Sequence, residues 1–423
     1  MADTSFALHP HTVTLPCGLR ILQINPPCTQ AGNVVCCGIA VDAGTRDELD
    51  DESGMAHFCE HASFKGTRRR NAVHIASAID SVGGELNAFT TKESTIYYAL
   101  ILAPYLAQAI DVLCDIVFSS TFPQSEIEKE AKVVADEIES YNDSPAELIF
   151  DEFEQALFGK HPLGRSILGD AERLAAYSTI DLKRFASRLY KPRRMALFVV
   201  GGANFDDIVY DVRLSLRRAG LDADQFAAPE PFKRVAPEQD SPKVLKIERD
   251  VHQAHVIVGC QAFSYRHPLH WALALLSNML GGPALNSRLN IILRERNPLV
   301  YNIESFLYTY TDVAAWGVYF GCDKKDIDIC LRLVRKELKA FAARPVAPLA
   351  LRKAKMQMKG QIGIAAGNIE SVALCVAKHF LHRRLLISPD LIYEQIDQVT
   401  AEQILQAAQE LFNFKEFTQV IYV

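Results

Sequence analysis

Among the 423 residues there is no Cys-x-x-Cys pair, no run of some 18 uncharged apolar residues and no excess of basic side chains. The 45 Lys plus Arg stand against 51 Asp plus Glu, a net charge of −6 that argues against nucleic acid as the main partner. Without a long apolar run, no membrane span is expected. The start, MADTSFALHPHTVTLP, lacks the basic and apolar regions of a secretory signal, so a cytoplasmic location is expected. The ten cysteines show no framework spacing and mostly sit in apolar stretches such as DVLCDIV and SVALCVA, as reduced thiols acting as small hydrophobes do. Cys36 and Cys37 read as strand interior rather than as a redox pair.

What is present is ordinary globular composition, 49% hydrophobic and 23% charged, in a chain long enough for two or three domains. The stretch GLDADQFAAPEPFKRVAPEQDSPK, residues 220–243, has four prolines and no apolar period, as a linker does. The expected division is therefore residues 1–219, a linker 220–243 and residues 244–423. Each half repeats one order: alternating strand, apolar helix, turn, second alternating strand and amphipathic helix. NVVCCGIAVDAG and TIYYALILA are the strands of the first half, and AHVIVGCQAF and AAWGVYFGC those of the second. The fold class this predicts is α+β, a tandem repeat of two similar domains, each an antiparallel sheet covered by helices on one face.

Chemistry is concentrated in the first half. GMAHFCEHASFKG, residues 54–66, places His57 and His61 at i and i+4 on one helix face, a spacing that presents two metal ligands from a rigid element. Glu60 stands at i+3 from His57, where a carboxylate can act as general base beside the metal. A chain with 12 histidines gives only about 0.02 HxxEH matches by chance, so the motif is informative. Cys59, at i+2 from His57, points off that face and is expected to pack. The corresponding stretch of the second half, WALALLSNMLGG, is apolar, so one half reads as catalytic and the other as support. A third ligand has to come from elsewhere. The acidic helix SEIEKEAKVVADEIESYNDSP is the natural source, although spacing alone does not choose Glu137 over Glu128 or Glu139.

HxxEH followed at this distance by EKEAKVVADEIESYNDSP resembles the M16 (pitrilysin-like, inverzincin) zinc peptidases, and within them the short-chain branch that includes the mitochondrial processing peptidase. The resemblance spans the chain from about Thr12 onward. It implies one zinc ion per chain held by His57, His61 and Glu137, with Glu60 as base and Glu130 as the carboxylate that orients the site. GGELNAFTTKEST resembles the family's active-site edge strand, which implies that Asn87 and Ala88 face the scissile bond of an extended substrate. HPLGRSILGD, residues 161–170, also resembles the family, in a mainly structural role. GGPALNSRLNIILRERNPLVYNIESF resembles the segment carrying an Arg and a Tyr seven apart. Arg294 and Tyr301 match it, which implies contact with substrate or with a developing oxyanion. Pro298 stands where the family usually has Gly and fixes the loop differently. The activity implied is that of a zinc metalloendopeptidase cleaving peptides or unfolded segments in a closed chamber. Each chain then forms half of a clamshell, as a homodimer or a heterodimer. Two other outcomes follow from the same resemblance: a precursor-processing protease that needs a partner subunit, and a non-catalytic scaffold.

Overall fold

Runs rich in β-branched and aromatic residues, such as VVCCGIAV and TIYYALIL, fit a pleated, buried surface and form the middle of a sheet. A computed structural model describes residues 10–26, 33–227, 234–238, 241–383 and 388–423. Cys28, the first nine residues and parts of the expected linker, 228–233 and 239–240, lie outside the described residues. Two compact units emerge. The first comprises Met1–Ile138, Ser166–Pro231 and Gly363–Leu391, the second Glu139–Arg165, Phe232–Ile362 and Ile392–Val423.

The first unit holds a six-stranded sheet of β1 (His11–Thr14), β2 (Arg20–Ile24), β3 (Val34–Val41), β4 (Glu85–Thr90), β5 (Thr95–Leu102) and β6 (Met195–Val200). Their spatial order is β1-β2-β6-β3-β5-β4. The second unit holds β7 (Val244–Ile247), β8 (Ala254–Ala262), β9 (Val300–Thr309), β10 (Ala314–Cys322) and β11 (Thr418–Tyr422) in the order β7-β11-β8-β10-β9. Matching β2, β6, β3, β5 and β4 with β7, β11, β8, β10 and β9 superposes the two orders, so the tandem repeat is borne out. The sheets are mixed, not wholly antiparallel: β2 runs parallel to β6 and β7 parallel to β11. In both units the last strand in sequence inserts beside an early one in the same direction, β6 beside β2 and β11 beside β7.

Helices α1 (Met55–Ser63), α2 (Ala72–Asp80), α3 (Leu106–Phe118) and α4 (Gln124–Asn142) follow in order. Alternation along β3 sends Val35, Cys37, Ile39 and Val41 into the core shared with α1 and α3. Cys36 and Ala40 point to the opposite face, which is also buried. The helix Ile369–Arg383 covers that face, packing Ala373, Val376, Ala377 and Phe380 on Leu22, Ile96 and Phe198. In the second unit α5 (Pro145–Phe158) does the same, with Ile149, Phe153 and Ala156 on Ile257, Ala315 and Tyr319. The expectation of helices on one face is corrected here: each sheet is covered on both. Each half of the chain supplies the helix that covers the second face of the other half's sheet. The units therefore differ from the single cut expected at 220–243. Among the described residues no single helix is long and apolar enough to cross a membrane. Nine described cysteines are free thiols, all buried but Cys375.

Candidate metal centre

The site begins with how α1 starts. Gly54 has φ 76°, a left-handed conformation suited to glycine, and a Cβ there would come within 2.8 Å of Gly169 Cα. Gly169, also at positive φ, would meet Gly54 Cα at 2.5 Å with a Cβ of its own. Leu168 and Gly169 thus lie against the N-terminus of α1. The Glu48 carboxylate accepts from the N–H groups of Gly54 at 3.2 Å and Ala56 at 2.8 Å, which places negative charge at the positive end of the helix. Phe58, Cys59 and Ala62 anchor the helix in the core, and burial pushes the Cys59 thiol up to about 12, so Cys59 packs as expected.

With α1 fixed, His57 and His61 stand one turn apart, ring centroids 4.6 Å from each other. Across from them lies α4, whose buried face is Ile127, Glu130, Ala131 and Val134. Glu137 continues that face one turn on. Its carboxylate oxygens lie 3.9 Å from His57 Nε2 and 3.7 Å from His61 Nε2. One donor atom from each of the three falls within 4.8 Å of the others. Glu130 Oε1 lies 2.9 Å from His61 Nδ1, and Lys65 Nζ lies 2.6 Å from Glu130 Oε2. With Nδ1–H donating to Glu130, the lone pair of His61 sits on Nε2 and faces Glu137. His57 Nδ1 is buried with no hydrogen-bond partner among the described residues.

Burial, aided by the neighbouring His61, pushes His57 down to about 4, which keeps it neutral, the form a ligand requires. For His61 burial acts downward, but the hydrogen bond to Glu130 and the carboxylates of Glu60, Glu130 and Glu137 outweigh it and raise the pKa. Burial raises Glu60 above the usual carboxylate range, partly offset by a 2.6 Å hydrogen bond that the Thr90 hydroxyl donates to its Oε2. Glu130 is lowered: burial opposes, and the bonds from His61 and Lys65 prevail. Two neutral-capable imidazoles and a carboxylate, converging with an oriented second nitrogen, form the donor set zinc takes in catalytic sites. The residues present fit the ion.

β4 is an edge strand that pairs only with β5 among the described residues, and α1 lies against it. Leu86 and Ala88 turn toward the core on the α1 side, and Thr90 follows in the same alternation. Asn87 is exposed and points to the other face, so the pair can meet a substrate jointly only through backbone. Arg294 and Tyr301 lie in the second unit. Both are exposed and line one cavity of about 340 Å³ with Pro298, Asp323 and Asp326. Arg294 sits in a π-helical turn, Ile291–Glu295, and the Tyr301 hydroxyl donates to Asp323 at 3.1 Å. The sequence reading missed Glu48, Lys65 and Thr90. Only Thr90 carried a signal, the two-residue period of ELNAFT that puts it beside Ala88.

Comparison with known proteins gives the family. Residues 27–171 match the model of the insulinase family (peptidase family M16), and residues 178–358 that of the peptidase M16 inactive domain. An uncharacterized zinc protease of Mycobacterium tuberculosis is 34% identical over 97% of this chain and 93% of its own. The beta subunit of the yeast (Saccharomyces cerevisiae) mitochondrial-processing peptidase is 27% identical over 94% of this chain and 87% of its own. In fold, a protease from Helicobacter pylori superposes with a TM-score of 0.88 at 22% identity, covering 98% of this chain and 99% of the other. The chain belongs to peptidase family M16.

Proposed function

We propose that the chain is a zinc-dependent endopeptidase acting on peptides or unfolded segments, with the site in its first unit. The observation that carries this reading is the convergence of His57, His61 and Glu137, with Glu60 beside them. Zinc held by these three residues supplies Lewis acidity toward a water and a peptide carbonyl. Glu60 does the proton work. Its Oε2 is held by Thr90, leaving Oε1 to take a proton from the attacking water and hand it to the leaving amine. The edge of β4, unpaired among the described residues, is where an extended substrate adds as a strand, past the backbone of Asn87 and Ala88. Arg294 and Tyr301 are assigned to substrate or oxyanion contact, a guanidinium and a phenol sharing one cavity.

A homodimer that closes the chamber, each chain forming half of a clamshell, is part of this proposal, as is a cytoplasmic setting, supported by the free thiols. A precursor-processing enzyme with a different partner chain is the second reading, supported by likeness to a protein named as a subunit. The test pairs metal content with cleavage of a quenched, unstructured peptide by wild type and Glu60→Gln. About one zinc per chain is expected in both, with turnover in the variant down by at least ~10³-fold. A wild type that binds zinc and cleaves only when a second chain is added supports the second reading, and a chain without metal sinks both.

A further inference from the structure

Lys65 lies just past the end of α1, one turn beyond His61, and its backbone N–H closes that turn on Ala62 O at 3.1 Å. Its ammonium group is 2.6 Å from Glu130 Oε2, while the other oxygen, Oε1, meets His61 Nδ1 at 2.9 Å. The Glu130 side chain is only 6% exposed, so water does little to hold it. A carboxylate gripped at one oxygen can still turn about its terminal bond, and gripping both oxygens from opposite sides fixes its plane. We propose that Lys65 is a positioning residue of the metal centre: through Glu130 it sets the orientation of the His61 ring and so the direction of Nε2.

The charges support the same assignment. Taken as ions, Glu60, Glu130 and Glu137 bring three negative charges and Lys65 one positive, a remainder of −2 that one divalent cation balances. A lysine that merely decorated the surface would have its stem and head in solvent, but this side chain is 30% exposed and ends on a buried carboxylate. A carboxylate that orients a ligating imidazole governs metal affinity through ring placement, and Lys65 stands one contact further out in the same chain of bonds. The inference rests on the reading of His57, His61 and Glu137 as a metal site and adds to it a residue that touches neither metal nor substrate.

The test measures zinc affinity on the full chain by competition with a chromophoric chelator, alongside the cobalt(II) absorption spectrum, for wild type, Lys65→Met, Lys65→Arg, Glu130→Gln and the double variant Lys65→Met/Glu130→Gln. Lys65→Met is expected to weaken zinc binding about 10- to 100-fold and to alter the cobalt bands, with Lys65→Arg restoring most of the loss. On the Glu130→Gln background, Lys65→Met is expected to cost no more than about 2-fold, since its route of action is already cut. Affinity in Lys65→Met equal to or tighter than wild type overturns the proposal, as does an undiminished penalty in the double variant. Lys65→Ala, which also removes the donor, replaces Lys65→Met if circular dichroism shows that the latter does not fold. A wild type that binds no zinc fails the metal reading itself and this proposal with it. Failure of peptide cleavage alone counts against the peptidase reading and leaves the affinities to decide on Lys65.

Discussion

Thr90 has one hydroxyl proton, and it goes to Glu60 Oε2 at 2.6 Å. A base that must swing from water to leaving group gains from having one oxygen tethered, because the other is then aimed. Thr90→Val keeps the shape of the side chain and removes the tether. Steady-state kinetics are expected to show kcat about 10-fold lower with KM within about 2-fold, zinc content unchanged, and recovery in Thr90→Ser. An equal fall in a variant that also loses zinc would place Thr90 in the support of α1 instead. At this scale much of the site was legible. His57, Glu60 and His61 announce themselves because an α-helix converts spacings of three and four into one face. Glu137 was selected by family likeness, since nothing in a helix full of acids marks one glutamate. Lys65 was not legible: it lies beyond the helical period, and its partner is 65 residues away on another element.

Between elements, ionic groups pin what α1 leads into. Asp111 on α3 accepts from Arg69 at 2.7 Å, from Arg70 and from Arg218 at 3.1 Å, and Arg70 reaches Asp115 at 2.6 Å as well. The side chain of Asp111 is 9% exposed. Burial alone would raise its pKa, but the three guanidinium groups prevail and hold the carboxyl well below the usual range. The folded form therefore binds this proton less readily than the unfolded chain. Its contribution to stability is present above the unfolded value near pH ~4 and is lost as pH falls below it. Asp111→Asn is expected to cost about 1–3 kcal/mol near neutral pH, discounted because the arginines are partly exposed, and to flatten the acid side of the stability curve. Denaturant titrations at pH 7 and pH 3 check this, and a constant difference between the variants at both would refute it.

For the whole molecule, alternation in the strands correctly gave two α+β repeats but suggested that each sheet has one buried face. The central strands say otherwise, in retrospect. MALFVV of β6 is apolar without interruption, and all six residues are buried. The helices responsible stand far away in sequence, Ile369–Arg383 over the first sheet and Pro145–Phe158 over the second, so no local pattern could pair them. Separate expression of residues 1–219 and 244–423 is expected to give two poorly soluble, dye-binding species. The first would leave Leu22, Cys36, Ile96 and Phe198 uncovered, and the second would lack the helix over Ile257 and Tyr319. Co-expression is expected to restore a soluble complex. Either fragment folding cooperatively by itself, in calorimetry, would contradict this.

The exchanged helices also give the order of synthesis a meaning. Every strand of the first sheet has been synthesised by Val200, yet the helix that closes its second face ends at Arg383. For the time it takes to make some 180 more residues, at roughly 5–20 per second, the nascent sheet waits half-dressed. Until then Leu22, Ile96 and Phe198 have no helix over them. The side chains that gather at the candidate metal centre are made early, by Asn142, but the cover of the sheet behind them late, so the centre gains its full backing only when nearly the whole polypeptide is free.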